Sequence, residues 1–362
     1  MRWNFLFSVG SLLSLVAACS NGASNGPTTG SPVDGAADDA ATDTTTPTDD
    51  VSSPTDSTTD STVPGDTASP TDTGPGPKDS AADLGVDTAP PADTGTTGST
   101  LRFLVFGDSR DNPDLHQTLL DSMSKMNPAL ILDTGDLWAG YPSTSKTWAT
   151  ITTSNANIAT LLNTNMYLVS RGNHESVSEL LAFKPTLTRG GKETYSFTVG
   201  NAFFVSVGMD PAKATTFLST ELASAASTAA TWRFVYSHYP IYDSGDGHGP
   251  VTGISAVESL CDKYHVTAFF SGHEHIYERF NQIAGGKVVD TTDAFKASKG
   301  TVYVVSGGGG APFYTVTTTL PQEHVNKTSV NHYMLVDLTA TTMSVQTLDT
   351  GNAVIDRFQI AQ

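Results

Sequence analysis

Cysteine is almost missing from this chain, with Cys19 and Cys261 the only two among 362 residues. So little cysteine excludes a disulfide framework, and the fold must rest on an ordinary hydrophobic core. Basic residues are scarce as well, 19 Lys and Arg against 37 Asp and Glu for a net charge of −18. Without a Lys/Arg run or a basic total, the chain lacks the field that phosphate backbones require, so no nucleic-acid-binding surface is expected. Long apolar runs are absent too: the one stretch at 5–16 is too short for an ordinary membrane-spanning helix. Residues 20–99 hold no aromatic, no Ile and a single Leu, Leu84. Such a segment cannot bury enough apolar area to offset the entropy of ordering, and a solvated tether is expected there.

That tether carries most of the charge. It has 14 Asp and one base, Lys78, whereas residues 101–362 have 23 acids and 17 bases, a net of only −6. With 18 Thr and 10 Pro the segment reads as an extended spacer, about 50 Å end to end as a flexible coil. Ahead of it, Arg2 supplies a positive end, 5–16 the apolar stretch and Ala17-Ala18 the small residues of a cleavage site. Val16-Ala17-Ala18-Cys19 resembles the bacterial lipobox, whose Cys becomes the lipidated first residue. A cleaved signal with an incidental Cys is the alternative. The lipobox reading implies an exported lipoprotein, held in a membrane through lipidated Cys19, and Ser20 after it favours the outer membrane. The expected organisation is a signal segment at 1–19, a disordered linker at 20–99 and one folded domain at 100–362.

From Leu101 short apolar runs alternate with helix-like stretches, which argues an α/β sheet. Strands are expected at 101–106, 129–132, 166–169, 232–236, 266–270 and 301–305, and helices at 113–126, 212–230 and 253–264, the last making Cys261 a small buried hydrophobe. Two strands at 195–199 and 202–207 predict a hairpin across Gly200-Asn201. Three more at 333–338, 342–348 and 353–360 predict a carboxy-terminal meander. Each of the six principal strands ends in polar residues: Gly107-Asp108, Gly135-Asp136, Gly172-Asn173-His174-Glu175, His238, Gly272-His273-Glu274-His275 and Ser306 to Gly310. Ligands of open α/β sheets bind beyond the carboxyl ends of strands, so these ends can converge.

Asp108, Asp136, Asn173, His238, His273 and His275 supply the imidazole and carboxylate mixture that Zn, Fe or Mn favours. In extended structure residues i and i+2 point the same way, which would let His273 and His275 face one site. The glycines before Asp108, Asp136, Asn173 and His273 would allow a sharp exit from each strand. The glycines at 307–310 lack the Lys-Ser/Thr of a P-loop and are expected to let backbone pass close to the site.

In this order the motifs resemble the signature of the calcineurin-like metallophosphoesterase superfamily. Gly272-His273-Glu274-His275-Ile276-Tyr277-Glu278-Arg279, with His248 ten positions after His238, is similar to its purple-acid-phosphatase-like branch. The resemblance covers 101–362 and implies a four-layer α/β/β/α sandwich of two mixed β-sheets flanked by helices. It further implies a dinuclear centre of two divalent or trivalent ions (Fe, Mn or Zn) acting on a phosphoester. One ion would take Asp108, Asp136 and His275, and the other Asp136 as bridge with Asn173, His238 and His273. His174, polarised by a carboxylate, would steady the transition state or protonate the leaving oxygen, and His248 would contact the phosphate or share the acid role.

Two departures stand out. Where general members carry a histidine ligand two positions after the first aspartate, this chain has Arg110. Where purple acid phosphatases carry a tyrosine three positions after the second aspartate, it has Ala139, with Tyr141 off the spacing. The first ion therefore lacks one protein ligand, and no phenolate-to-iron colour is expected. Arg110 is expected to turn from the metal and clamp a phosphate oxygen, with a loop pairing to Asp111 as the alternative. The missing ligand also leaves a second function open, a non-catalytic envelope binding module with a degenerate metal site.

Overall fold

The computed structural model of the chain describes residues 101–139, 147–248, 253–316, 320 and 323–362. Cys19, the 20–99 linker and Tyr141 lie outside them. Among the described residues no helix is long and apolar enough to cross a membrane.

The first sheet begins with three parallel strands, β1 (Leu101–Phe106), β2 (Leu130–Asp133) and β3 (Tyr167–Val169). The meander β13 (His332–Leu338), β14 (Thr342–Asp349) and β15 (Val354–Ala361) extends it antiparallel from β1, and β10 (Ala294–Lys296) closes its edge. In the second sheet β4 (Tyr195–Val199) and β5 (Ala202–Ser206) form the expected hairpin. Beside them β5, β6 (Trp232–Tyr236), β7 (Ala268–Ser271) and β11 (Thr301–Ser306) run parallel, and β8 (Tyr277–Ala284) returns antiparallel to β11. Its far side is completed by β9 (Lys287–Asp290) and β12 (Glu323–Thr328), both paired with β8.

Strand alternation sorts the side chains into layers. Leu101, Phe103 and Val105 of β1 enter a core shared with Phe204, Phe234 and Phe270 of the second sheet. Phe103 meets those three rings at 5.4–6.3 Å in edge geometries. Leu104 and Phe106 turn to the other face, onto α1 (Pro113–Lys125), α2 (Trp148–Ser154), α3 (Ala156–Asn163) and α4 (Val177–Phe183). The outer face of the second sheet packs on α5 (Thr215–Leu222) and α7 (Ile254–Tyr264), with Cys261 buried in that layer. These are the layers of the expected four-layer sandwich.

Three local expectations change. The single helix at 212–230 is a short 3₁₀ turn, Pro211–Ala214, then α5 and α6 (Ala225–Ala229), because Ser224 leaves helical geometry and caps Ser227 N. Helices α2 and α3 lie outside the expected set, and Asn155 ends one and caps the next. Strand β8 was missed because its polar residues disguise a fully buried element: Glu278, Arg279 and Gln282 are each 0% exposed.

Candidate metal centre

Six loops meet where both sheets present the carboxyl ends of parallel strands. Asp108 follows β1, Asp136 follows β2 and Asn173 follows β3, while His238 follows β6, His273 and His275 follow β7, and Gly307 follows β11. Backbone bonds lace the loops together. Asp108 N donates to Gly135 O (2.8 Å) and Arg110 N to Asp136 O (3.1 Å) within the first sheet, and Gly309 N reaches Gly107 O (2.8 Å) from the second.

The glycines act only in part as expected. Gly135 turns with φ of 102°, but Asp108, Asp136 and His273 themselves also adopt left-handed backbone, with φ of 60°, 57° and 71°. The glycines before Asp108, Asn173 and His273 serve close approach. A Cβ at Gly107 would overlap Thr134, one at Gly172 would overlap Asp136, and one at Gly272 would overlap Asp108. Nor is 273–275 extended: tight turns from Glu274 N to Gly272 O (2.9 Å) and from Ile276 N to Glu274 O (2.8 Å) bring both histidines inward.

Asp108, Asp136 and His275 offer ligand atoms that all lie within 4.8 Å of one another. Asp108 is 0% exposed; its Oδ2 accepts His273 N at 3.0 Å, while Oδ1 has no hydrogen-bond partner and lies 3.6 Å from His275 Nε2. His275 Nδ1 donates to Pro312 O at 2.5 Å, which leaves the Nε2 lone pair directed to the cluster. His238 is arranged alike. Its Nδ1 donates to Thr134 O (2.8 Å), and its Nε2 faces Asn173 Oδ1 (2.8 Å), Asp136 Oδ1 (3.4 Å) and His273 Nδ1 (3.2 Å). Asn173 is exposed at the mouth.

An orphaned carboxylate oxygen beside converging imidazole nitrogens suits a cation. The electrostatics agree. Burial, then the Asp136 charge, pushes the Asp108 carboxyl well above its ordinary range, and burial drives His275 down to about 4 and His273 to about 2. Neutral imidazoles beside crowded carboxylates are the donor set of a divalent or trivalent metal, so the residues present fit such a group.

Arg110 does not turn away from this cluster, as the sequence reading expected. Its Nε donates to Asp136 Oδ2 (3.2 Å), its Nη2 lies 3.5 Å from His275 Nε2, and Nη1 pairs with Asp111. Buried carboxylate charge draws the guanidinium in, and Arg110 thus lies across ligands assigned to the first ion. Ala139, at the missing tyrosine position, only accepts Asp111 N through its carbonyl (2.9 Å).

The two outer histidines differ. His174 is 40% exposed at the side chain; its backbone N donates to Asp136 Oδ1 (3.0 Å), and its Nε2 lies 3.8 Å from Asp136 Oδ2. The histidine hydrogen-bonded to a carboxylate is His248, through Nδ1 to Glu274 Oε1 at 2.9 Å. Sequence reasoning missed Glu175 as an organiser. Its buried carboxylate accepts Gly172 N (3.0 Å), Asp136 N (3.2 Å) and Leu137 N, tying two ligand loops together. It also missed the rings that wall the site, Tyr239 on His273 and Tyr314 on His275, each at 4.3 Å between centroids. No spacing rule could have found contacts made between distant loops.

Known proteins share this arrangement of sequence and fold. Residues 101–277 match the calcineurin-like phosphoesterase family. Purple acid phosphatase 21 of Arabidopsis thaliana is 28% identical over 232 residues, 58% of this chain and 50% of that protein. An uncharacterized Mycobacterium tuberculosis protein is 30% identical over 156 residues, 35% of this chain and 30% of its own length. The chain thus spans half or less of these curated relatives. In fold it is similar to the purple acid phosphatase from yellow lupin (Lupinus luteus) seeds, with a TM-score of 0.57 at 19% identity over 72% of this chain and 53% of that one. It is also similar to GAP50, the anchor in the inner membrane complex of Plasmodium, with a TM-score of 0.51 at 14% identity over 72% and 88%. Sequence match, ordered motifs and two-sheet architecture together mark residues 101–277 as a calcineurin-like phosphoesterase region, similar to the purple acid phosphatases.

Proposed function

We propose that the domain hydrolyses a phosphoester at a dinuclear metal centre. The observation that carries this is the place of Asp136, whose Oδ1 faces His238 Nε2 (3.4 Å) while the same carboxylate clusters with Asp108 and His275. One carboxylate between two ligand groups is what a bridged pair of ions needs. Such a pair supplies Lewis acidity toward phosphoryl oxygens and activates water at neutral pH.

The remaining work falls to the chain. Glu175 holds Asp136 and the Asn173 loop in register through three backbone N–H groups. His174, open to solvent at the mouth, can give a proton to the leaving oxygen, and Arg110 can turn its donors from Asp136 to a phosphate oxygen. Burial, by keeping His273 and His275 neutral, preserves their lone pairs at physiological pH. Beside the ligand loops a cavity of about 640 Å³, bordered by Arg171, Met209, Lys213 and Phe217, offers room for the organic part of the ester.

The test is reconstitution of the full chain with Zn, Mn or Fe, followed by assay on aryl phosphates, alkyl phosphates and phosphodiesters. About two ions per chain with turnover is the expected result. A chain that binds no metal and turns nothing over supports the second reading, a binding module with a degenerate site, which the Arg110 to Asp136 pairing favours.

Residues 1–99 would tether this domain to the cell envelope, Cys19 carrying the lipid and the acidic segment acting as spacer. Labelled palmitate should enter the chain in a bacterial host and be lost in Cys19→Ala. Equal labelling of both would defeat the anchor.

A further inference from the structure

Glu274 interrupts the two histidines of the Gly-His-x-His stretch with a carboxylate that the metal centre does not use. Its side chain is 0% exposed and turns away from the ligands toward the loop at 243–248. Oε1 accepts His248 Nδ1 at 2.9 Å, and Oε2 accepts Gly247 N at 3.3 Å. Its seat admits little else. A Cβ on Gly245 would overlap Oε2, and a Cβ on Gly307 would overlap the Glu274 carbonyl. Two glycines on separate loops therefore make room for this one residue.

The consequence is read on His248. Its ring lies on the ring of His273 with centroids 3.6 Å apart and planes 24° apart, and the edge of Tyr314 closes on it at 5.2 Å. The loop that carries His248 is pinned elsewhere too, with Ser244 N and Oγ donating to Glu278 at 3.0 and 2.6 Å and Asp246 N donating to Thr315 O at 3.0 Å. Glu274 alone among these contacts reaches the imidazole itself. By accepting from Nδ1 it selects the tautomer and leaves Nε2 as the nitrogen available to a ligand.

We propose that Glu274 is a positioning residue that fixes His248 over the metal centre through the Nδ1–H···Oε1 bond, with Nε2 presented to the phosphoryl group of the substrate. Glu274 itself touches neither metal nor substrate and acts only through His248. The phosphoryl part of this assignment rests on the hydrolase reading; the positioning part does not.

Two measurements on the full chain test it. In the metal-free protein, nitrogen-15 spectra of the imidazoles should show His248 as the Nδ1–H tautomer, and Glu274→Val should abolish that state while Glu274→Gln, which keeps an acceptor, retains it. Second, on p-nitrophenyl phosphate with metal content verified as unchanged, Glu274→Val should lower kcat about 30-fold and His248→Ala about 100-fold, and the double variant should fall no lower than His248→Ala. An Nε2–H tautomer in the wild-type chain, or losses that multiply in the double variant, overturns the positioning role. A wild-type chain inactive with every metal overturns the hydrolase reading and with it the phosphoryl assignment, and the tautomer then decides the positioning role by itself.

Discussion

Asp136→Asn lowers kcat on p-nitrophenyl phosphate by about 1,000-fold or more, and the same change makes the metal-free chain more resistant to heat. The first half follows from position: Asp136 touches both ligand groups, so its loss removes the carboxylate that the proposed centre draws on from both sides. The second follows from crowding. Asp136 is 1% exposed, and its charge helps raise both Asp108 and Glu175, the latter to about 8 after burial as the larger cause. Metal binding relieves this repulsion; without metal it is a standing cost.

The pH dependence has a definite sign. Glu175 in the folded chain holds its proton up to about 8, whereas the unfolded chain releases it near 4.5. Between those values the folded state binds more protons, so metal-free stability falls as pH rises from 4.5 toward 8. Asp136→Asn should flatten that fall. Calorimetry of metal-free wild type and variant at pH 5 and pH 8 checks it, and a variant that melts below wild type at pH 8 or keeps a tenth of the turnover sinks the account.

Arg279→Met destabilises the domain by about 3–5 kcal/mol, because it strips the neutralising guanidinium from a buried carboxylate. Arg279 and Asp356 are almost wholly buried, at 0% and 1% side-chain exposure. The guanidinium grips the carboxylate at two points, Nε to Oδ2 at 2.6 Å and Nη2 to Oδ1 at 3.0 Å, and Tyr277 OH adds a third bond at 2.6 Å. Arg279 stands on β8 of the second sheet and Asp356 on β15 of the first, so the pair joins the two sheets across the core. A fall in melting temperature of roughly 10 °C is expected for a domain of this size. The double variant Arg279→Met/Asp356→Leu should recover most of it, since an apolar pair is left with no stranded charge. Folded Arg279→Met should still turn over substrate as wild type does; a selective loss of kcat without loss of stability would mean that the arginine serves the site instead.

That prediction also shows what the signature left open in the sequence. In Gly-His-x-His-x-Tyr-Glu-Arg the histidines turn to the metal centre, but Tyr277 and Arg279 serve the sheet interface and Glu278 holds the loop before His248. A motif is contiguous in the chain, and its residues alternate between faces that meet different neighbours. For the same reason β8 was invisible: a strand that buries Glu278, Arg279 and Gln282 carries no apolar run to read. The parallel strands β1, β2, β6, β7 and β11 were legible because both their faces are covered, which makes each a short continuous apolar run.

Sequence by itself determined the mixed α/β character, the placing of polar residues after successive strands, and the concentration of negative charge in 20–99. It did so because strand burial and helix punctuation are local properties of composition and period. Only the tertiary structure decided that Arg110 lies on Asp136, that Glu175 ties two ligand loops, that Asp108, Asp136 and His273 take left-handed backbone, and that Glu274 is the carboxylate behind His248. The side-chain contacts of Arg110, Glu175 and Glu274 join loops that follow neighbouring parallel strands of one sheet, 26 to 39 residues apart along the chain. Lateral pairing of the strands brings them to hydrogen-bonding distance, and no periodicity in the chain encodes which of them will meet.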